Sequence, residues 1–357
     1  MLKVYAERTH YEDRDRKSLN DILKAHWNDA TLKERRATYG TFVDCFTVVE
    51  RPEEADVHLL TMKWQHYVNQ GIVTKAIEAV EIARRARRPI AVFSGGDFEA
   101  NFPVAGRDIH LFQASAYASR TQQSQHGMPT FFEDPLAGAP VEVRSKRERA
   151  VVGFCGQAGA SLHRHAARFV RNRYQRVKWR LGYERWEPPP LEHTWFRKRV
   201  LKTFLESSIV RSNFVLRTKY RAGVHTANRN DPLENARREF LDNVAGSDYT
   251  VCVRGGGNFS VRFYEALAMG RVPIFIDTDC VLPYSSVIDW RRLTVWIDES
   301  ELADADRLVA RFHETLNDEE FRTRQLEART VWSERLTVNG FYRHFHEHFD
   351  ELRDRHP

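Results

Sequence analysis

Short apolar runs alternate with segments of helical period along most of this chain. Runs at 2–6, 42–49, 57–61 and 90–93 have the length and apolar content of buried strands. Between the last two, Ile72, Ala76, Val80 and Ala83 recur at helical spacing and predict a helix over 71–87. A further strand is expected at 109–113. A second series follows, with strands predicted at 150–155, 213–216, 249–253 and 272–276 and helices at 162–175 and 260–270. Another helix is expected to run from Asp231 to Gly246, because Asp231, Pro232 and Glu234 supply a cap, a proline at the first helical position and an acid at the third. From Leu302 the pattern is helical to the end. Strands alternating with helices predict an α/β protein with parallel sheets.

Around 135–149 the periodicity gives way to proline, glycine and charge, as expected of an interdomain connection. The expected organisation is a first domain over 1–140, a second over 141–330, and a terminal helical segment, 331–357, crossing back to the first domain. A chain of 357 residues is long enough for two cores. Its hydrophobic content of 42% is that of a globular protein. No run approaches the roughly 20 apolar residues needed to span a bilayer. The first residues lack the apolar core of a secretory signal, so a cytoplasmic location is expected. Cys45, Cys155, Cys252 and Cys280 are far apart, form no C-x-x-C and predict reduced core thiols.

The formal net charge of +6 is concentrated in arginine runs at 84–88, 144–149, 164–180 and 197–221. Candidate anionic partners are a nucleotide sugar, an acidic glycan, the surface of an anionic membrane touched peripherally, or nucleic acid. No nucleic-acid-binding module is recognisable, so no nucleic acid is expected.

The densest chemistry lies in 249–290. A strand leaves through Arg254, Gly255, Gly256 and Asn258 to Ser260, a candidate N-cap, and the helix it opens ends at Gly270 before the next strand. Such a junction offers free backbone N–H groups and a positive dipole end to an anion. Arg254 and Arg262 add full charges, and Glu265, one turn in, suits sugar hydroxyls. A nucleoside diphosphate meets these demands. Arg217 and Lys219, after the strand at 213–216, are further candidate phosphate contacts. Gly153, Gly156 and Gly159 do not match the dinucleotide fingerprint and predict a tight turn. Asp277-Thr278-Asp279 is a D-x-D, read either as a metal site or as a loop closing over the nucleotide. It is expected to follow the last sheet strand. His344, His346 and His348 predict a solvated surface in preference to zinc, since no third ligand type is near.

Several of these residues together resemble the exostosin-like glycosyltransferases. The resemblance is carried by Arg254-Gly255, by Ser260-x-Arg262-Phe263-x-Glu265-Ala266, by Gly270-x-x-Pro273-Ile274, by Pro283-Tyr284 and by Asp289-Trp290. Looser likeness reaches Gly153-Phe154-Cys155-Gly156 and Ala55-Asp56-Val57. It implies a GT-B fold, two Rossmann-like domains facing a central cleft. It also implies transfer with inversion from a nucleotide-activated sugar to a glycan or lipid-linked acceptor, in cell-surface polysaccharide synthesis. With Arg254 and Arg262 at the diphosphate no metal or other cofactor is expected, and a UDP-sugar is favoured over a GDP-sugar as donor. The turn after the strand at 90–93 lies where α/β sheets place ligands, and its Asp97 is the leading candidate for the base. Glu99, Glu133, Asp134 and His66 are the alternatives. Two other readings compete: a metal-dependent GT-A-like transferase using Asp277 and Asp279, and a non-enzymatic binder of acidic polymers.

Overall fold

The computed structural model describes residues 1–120, 122–158, 162–188, 193–217 and 232–349, the side chains of 162–165 and 232–233 excepted. Lys219, Gly159 and the cap Asp231 fall outside them, as does 350–357. Two parallel sheets organise the chain. The first takes β1 (Leu2–Tyr5), β2 (Phe46–Val48), β3 (Val57–Leu59), β4 (Ile90–Ser94), β5 (Gly106–Gln113) and β6 (Gln123–Gly127), in the order β2-β1-β3-β4-β5-β6. The second takes β7 (Val151–Gln157), β8 (Arg211–Arg217), β9 (Tyr249–Cys252), β10 (Val272–Asp277) and β11 (Val295–Asp298), in the order β11-β10-β9-β7-β8. Every pairing in both sheets is parallel. This is the α/β, GT-B-like arrangement of two Rossmann-like sheets.

Apolar runs became strands because parallel sheets are covered on both faces: all five residues of β4 and all four of β9 are buried. The helix Val73–Arg85 packs on its predicted face, burying Ala76, Ala79, Val80 and Ala83. Three expectations need correction. The run at 42–49 pairs only from Phe46, since Thr41–Cys45 is a 3-10 turn. β10 is not the last strand, because β11 pairs beside it with Ile274 opposite Val295. The third concerns His344, His346 and His348. His348 is buried, with its ring stacked on Tyr284 at 4.3 Å, and His344 Nδ1 lies 2.7 Å from Glu347 Oε1. The cause is the interleaved aromatics: Phe341, Tyr342, Phe345 and Phe349 join the core of the first sheet, with Phe345 5.8 Å from Phe93. All four cysteines are free, and no helix among the described residues is long and apolar enough to cross a membrane.

Candidate active site

The site grows from the carboxyl ends of the second sheet's strands. β9 runs out through Val253 to Arg254, the chain turns at Gly255–Phe259, and the helix Val261–Ala268 begins. Phe263, Tyr264, Ala266, Leu267 and Ala268 anchor that helix in the core, which leaves its first turn at the sheet's edge. Ser260 occupies the N-cap position, but its hydroxyl makes no capping bond. The helix stops at Ala268, earlier than the sequence suggests, and Gly270 takes a left-handed conformation (φ 63°) just beyond it.

Three guanidinium groups gather here. Arg254 is buried and donates from Nη1 to Asn258 Oδ1 at 2.9 Å and from Nη2 to the Tyr117 hydroxyl at 3.2 Å. No carboxylate pairs with it among the described residues. Arg262 lies over the Phe154 ring at 4.3 Å and donates to the Cys155 carbonyl at 2.8 Å. Gly156 makes the space, since a Cβ there would stand 2.6 Å from Arg262 Nη2. Burial pushes the Arg262 guanidinium below its ordinary pKa. Arg197, from the helix His193–Leu205, donates to the carbonyls of Gln157 at 2.8 Å and Arg254 at 3.2 Å. Sequence reasoning did not single it out. The groups that accept from Arg254 and Arg262, an amide oxygen, a hydroxyl and a backbone carbonyl, are neutral and leave the field of these two cations available to an incoming anion, which a carboxylate partner would cancel.

The flanking candidates are engaged differently. Glu265 Oε1 accepts from Arg237 Nη1 at 2.6 Å. Arg217 donates to the Ala236 carbonyl at 3.0 Å and pairs with Glu239. Both are thereby tied to the helix Pro232–Ala245. Asn258 is a junction: its Oδ1 also accepts from Thr278 Oγ1 at 2.7 Å, while Nδ2 donates to the carbonyls of Ala116 and Asp279 at 3.0 and 3.1 Å. Its amide is taken up inside the protein, so it joins the two sheets at the site's base.

The D-x-D belongs to the same junction. Asp279, at φ 67°, accepts from Ser119 N at 3.0 Å and Ser119 Oγ at 2.6 Å, and Tyr117 bridges Cys280. Asp277 instead accepts from Cys280 N at 2.9 Å, and burial raises its carboxyl above the usual range. No group of three metal-ligand side chains occurs among the described residues.

The opposing wall comes from the first sheet. β4 delivers the turn carrying Asp97 and Glu99. Asp97 is exposed, and a Cβ on Gly256 would stand 2.9 Å from its Oδ2, so the two turns touch. Asp97 borders two adjoining clefts. One of about 320 Å³ is shared with Phe98, Arg168, Arg171 and Gly256, and one of about 170 Å³ with Glu99, Tyr117, Arg120 and Glu187. Glu99, its side chain 9% exposed, is 3.6 Å from Arg120. Its carboxyl is pushed up to about 7, chiefly by burial; Arg120 opposes the rise, and Glu187 and Asp279 add to it. Asp134 is held in a two-pronged pair with Arg329 at 2.8 and 2.6 Å, away from the cleft-lining residues. The hydrogen bonds from Arg329 hold its carboxyl down at about 2. His66 is buried against Tyr67, and Glu133 is exposed outside both clefts.

Residues 200–312, which include most of this second-sheet edge, match the exostosin GT47 domain. Exostosin-1 of Drosophila melanogaster is 33% identical over 79 residues, 22% of this chain and 10% of its own length. A probable glucuronosyltransferase of Oryza sativa subsp. japonica is 28% identical over 85 residues, 23% of this chain and 20% of its own. A probable beta-1,4-xylosyltransferase of Arabidopsis thaliana is 26% identical over 93 residues, 25% of this chain and 23% of its own. The chain therefore spans no more than about a quarter of the length of these relatives. Over residues 200–312 it is therefore similar to the exostosin GT47 domain.

Proposed function

We propose that this protein is a glycosyltransferase that moves a sugar from a nucleotide sugar to a glycan or lipid-linked acceptor in polysaccharide synthesis. The observation that carries the reading is the facing of two turns: the glycine turn and cationic edge at the end of β9 meet the acidic turn at the end of β4 across the cleft. The donor diphosphate would sit at the first turn of Val261–Ala268, with Arg262 and Arg254 neutralising charge on the leaving group. Arg197 would hold that edge in place. Glu265, kept in position by Arg237, would meet the nucleoside, and Arg217 would border the same edge.

Inversion asks for one displacement: the acceptor hydroxyl attacks the anomeric carbon, its proton passes to a base, and the nucleoside diphosphate leaves. Glu99 is the base in this proposal, because a carboxyl titrating near 7 is matched to taking a proton at neutral pH. Asp97, at the border of both clefts, would orient the acceptor. The proposal includes turnover without a bound metal, a UDP-sugar in preference to a GDP-sugar, and action on the cytoplasmic side of a membrane. Thermal shift against UDP, GDP, CMP and dTDP sugars tests it. A ligand at 100 times its dissociation constant adds about 2.7 kcal/mol, so a panel that moves nothing would count against a donor site.

A further inference from the structure

From Leu162 to Tyr183 the chain has six arginines, one lysine and no acidic residue. The helix Leu162–Arg180 turns two opposite faces outward from its axis. Arg168, Asn172 and Gln175, at i, i+4 and i+7, line the larger cleft beside Asp97. On the other side Val170, Tyr174, Val177 and Leu181 follow at i, i+4, i+7 and i+11, exposed by 65%, 62%, 54% and 66%. Arg173 and Arg180 flank this apolar stripe on one edge, and Lys178 and Arg171, the latter also lining the larger cleft, lie on the other. Arg171, Arg173 and Arg180 make no ion pair among the described residues, and Lys178 alone of the four is paired, with Glu184 at 3.0 Å.

We propose that this stripe docks on an anionic lipid bilayer, with the apolar side chains at the acyl boundary and the flanking arginines at headgroup phosphates. A soluble polyanion would use the cations but leave four large apolar groups in water, whereas a bilayer surface takes both. A second copy of this chain is disfavoured by charge, because a two-fold contact would set the same basic edges against each other. The proposal stands apart from the transferase reading, since lipid binding is measured without turnover.

The test is co-sedimentation of the full chain with vesicles of phosphatidylcholine alone and of phosphatidylcholine mixed with phosphatidylglycerol. Binding to the mixed vesicles is expected. The triple variant Tyr174→Ser, Val177→Ser, Leu181→Ser should lower partition by at least about tenfold, while keeping the parent's melting temperature and its retention on immobilised heparin. Arg173→Gln with Arg180→Gln should lower it by about fivefold per charge removed. Absence of binding to mixed vesicles overturns the proposal. So does undiminished binding by the triple variant, which would assign the arginines to a soluble polyanion, and so does a parental dimer that the triple variant dissolves. Should the triple variant fail to fold, unchanged partition of the arginine variant overturns it alone.

Discussion

Gly256 and Asp97 meet where the two sheets face each other: a Cβ on the glycine would stand 2.9 Å from Asp97 Oδ2. A second tie runs beside this contact, from Asn258 N–H to Ser115 Oγ at 2.8 Å and from Ser115 Oγ–H to the Asp97 carbonyl at 3.1 Å. The glycine turn after β9 and the acidic turn after β4 are thus fixed to each other through Ser115. Gly256→Ala is expected to push the exposed Asp97 carboxylate aside at a cost of about 1 kcal/mol or less, because a flexible side chain yields before backbone does. Nucleotide affinity should hold while transfer falls. Unchanged transfer, measured with a donor the parent turns over, would mean that the position of Asp97 does not matter.

Glu99 makes a prediction with two readouts of opposite sign. Its carboxyl is raised from 4.5 to about 7, so the folded state binds the proton more tightly than the unfolded chain. The stability this gives is fully present below pH 4.5 and is lost as pH rises to about 7, a change of about 3 kcal/mol. Glu99→Gln should flatten that dependence and melt higher than the parent at pH 8. It should also lose about 10²–10⁴-fold in transfer, and the parental rate should climb with pH through about 7. A Glu99→Gln variant that is stabilised yet fully active would leave the base to Asp97, whose Asp97→Asn variant is then the one to assay.

Asp134 and Arg329 should act on stability alone. Here the folded carboxyl is depressed, from 3.8 to about 2, so its contribution is present above pH 4 and is lost as pH falls toward 2. The shift corresponds to about 2 kcal/mol. Asp134→Asn should lower the melting temperature at pH 7 and leave nucleotide affinity as it is. An affinity loss without destabilisation would return Asp134 to the candidate site.

Chelation separates the cationic reading from a metal-dependent one. If Arg254 and Arg262 neutralise the leaving diphosphate as proposed, turnover persists in excess chelator. Asp279→Asn should retain most activity, and its effect should appear as a weaker tie to Ser119. Complete loss in chelator, restored by manganese or magnesium, would instead make Asp277 and Asp279 ligands.

The sequence disclosed what local pattern controls and missed what docking controls. β4 and β9 were legible because both are continuous apolar runs. β6, whose residues Gln123, Ser124, Gln125 and His126 are polar, gave no such signal and exists by pairing at the edge of β5. Arg254 and Arg262 could be read from strand, glycine turn and helix start. Arg197 could not, because its role depends on a distant helix that carries its side chain to the carboxyl ends of β7 and β9, at the carbonyls of Gln157 and Arg254. Asn258 after a glycine turn reads like a ligand contact, and only the meeting of the sheets reveals that Ala116, Thr278 and Asp279 already occupy its amide. Glu265 likewise gives no local hint of Arg237, twenty-eight positions away.

The central claim is that the edge built by Arg254 and Arg262 holds the diphosphate of a nucleotide sugar. Titration calorimetry with UDP on the parent and on Arg262→Ala tests it most directly. Loss of one hydrogen bond to a charged group is worth about 1.5–3 kcal/mol, or about 10- to 150-fold in Kd. The account predicts a drop of that size with the melting temperature of the free protein preserved. Equal affinity of a folded Arg262→Ala variant and its parent would contradict it.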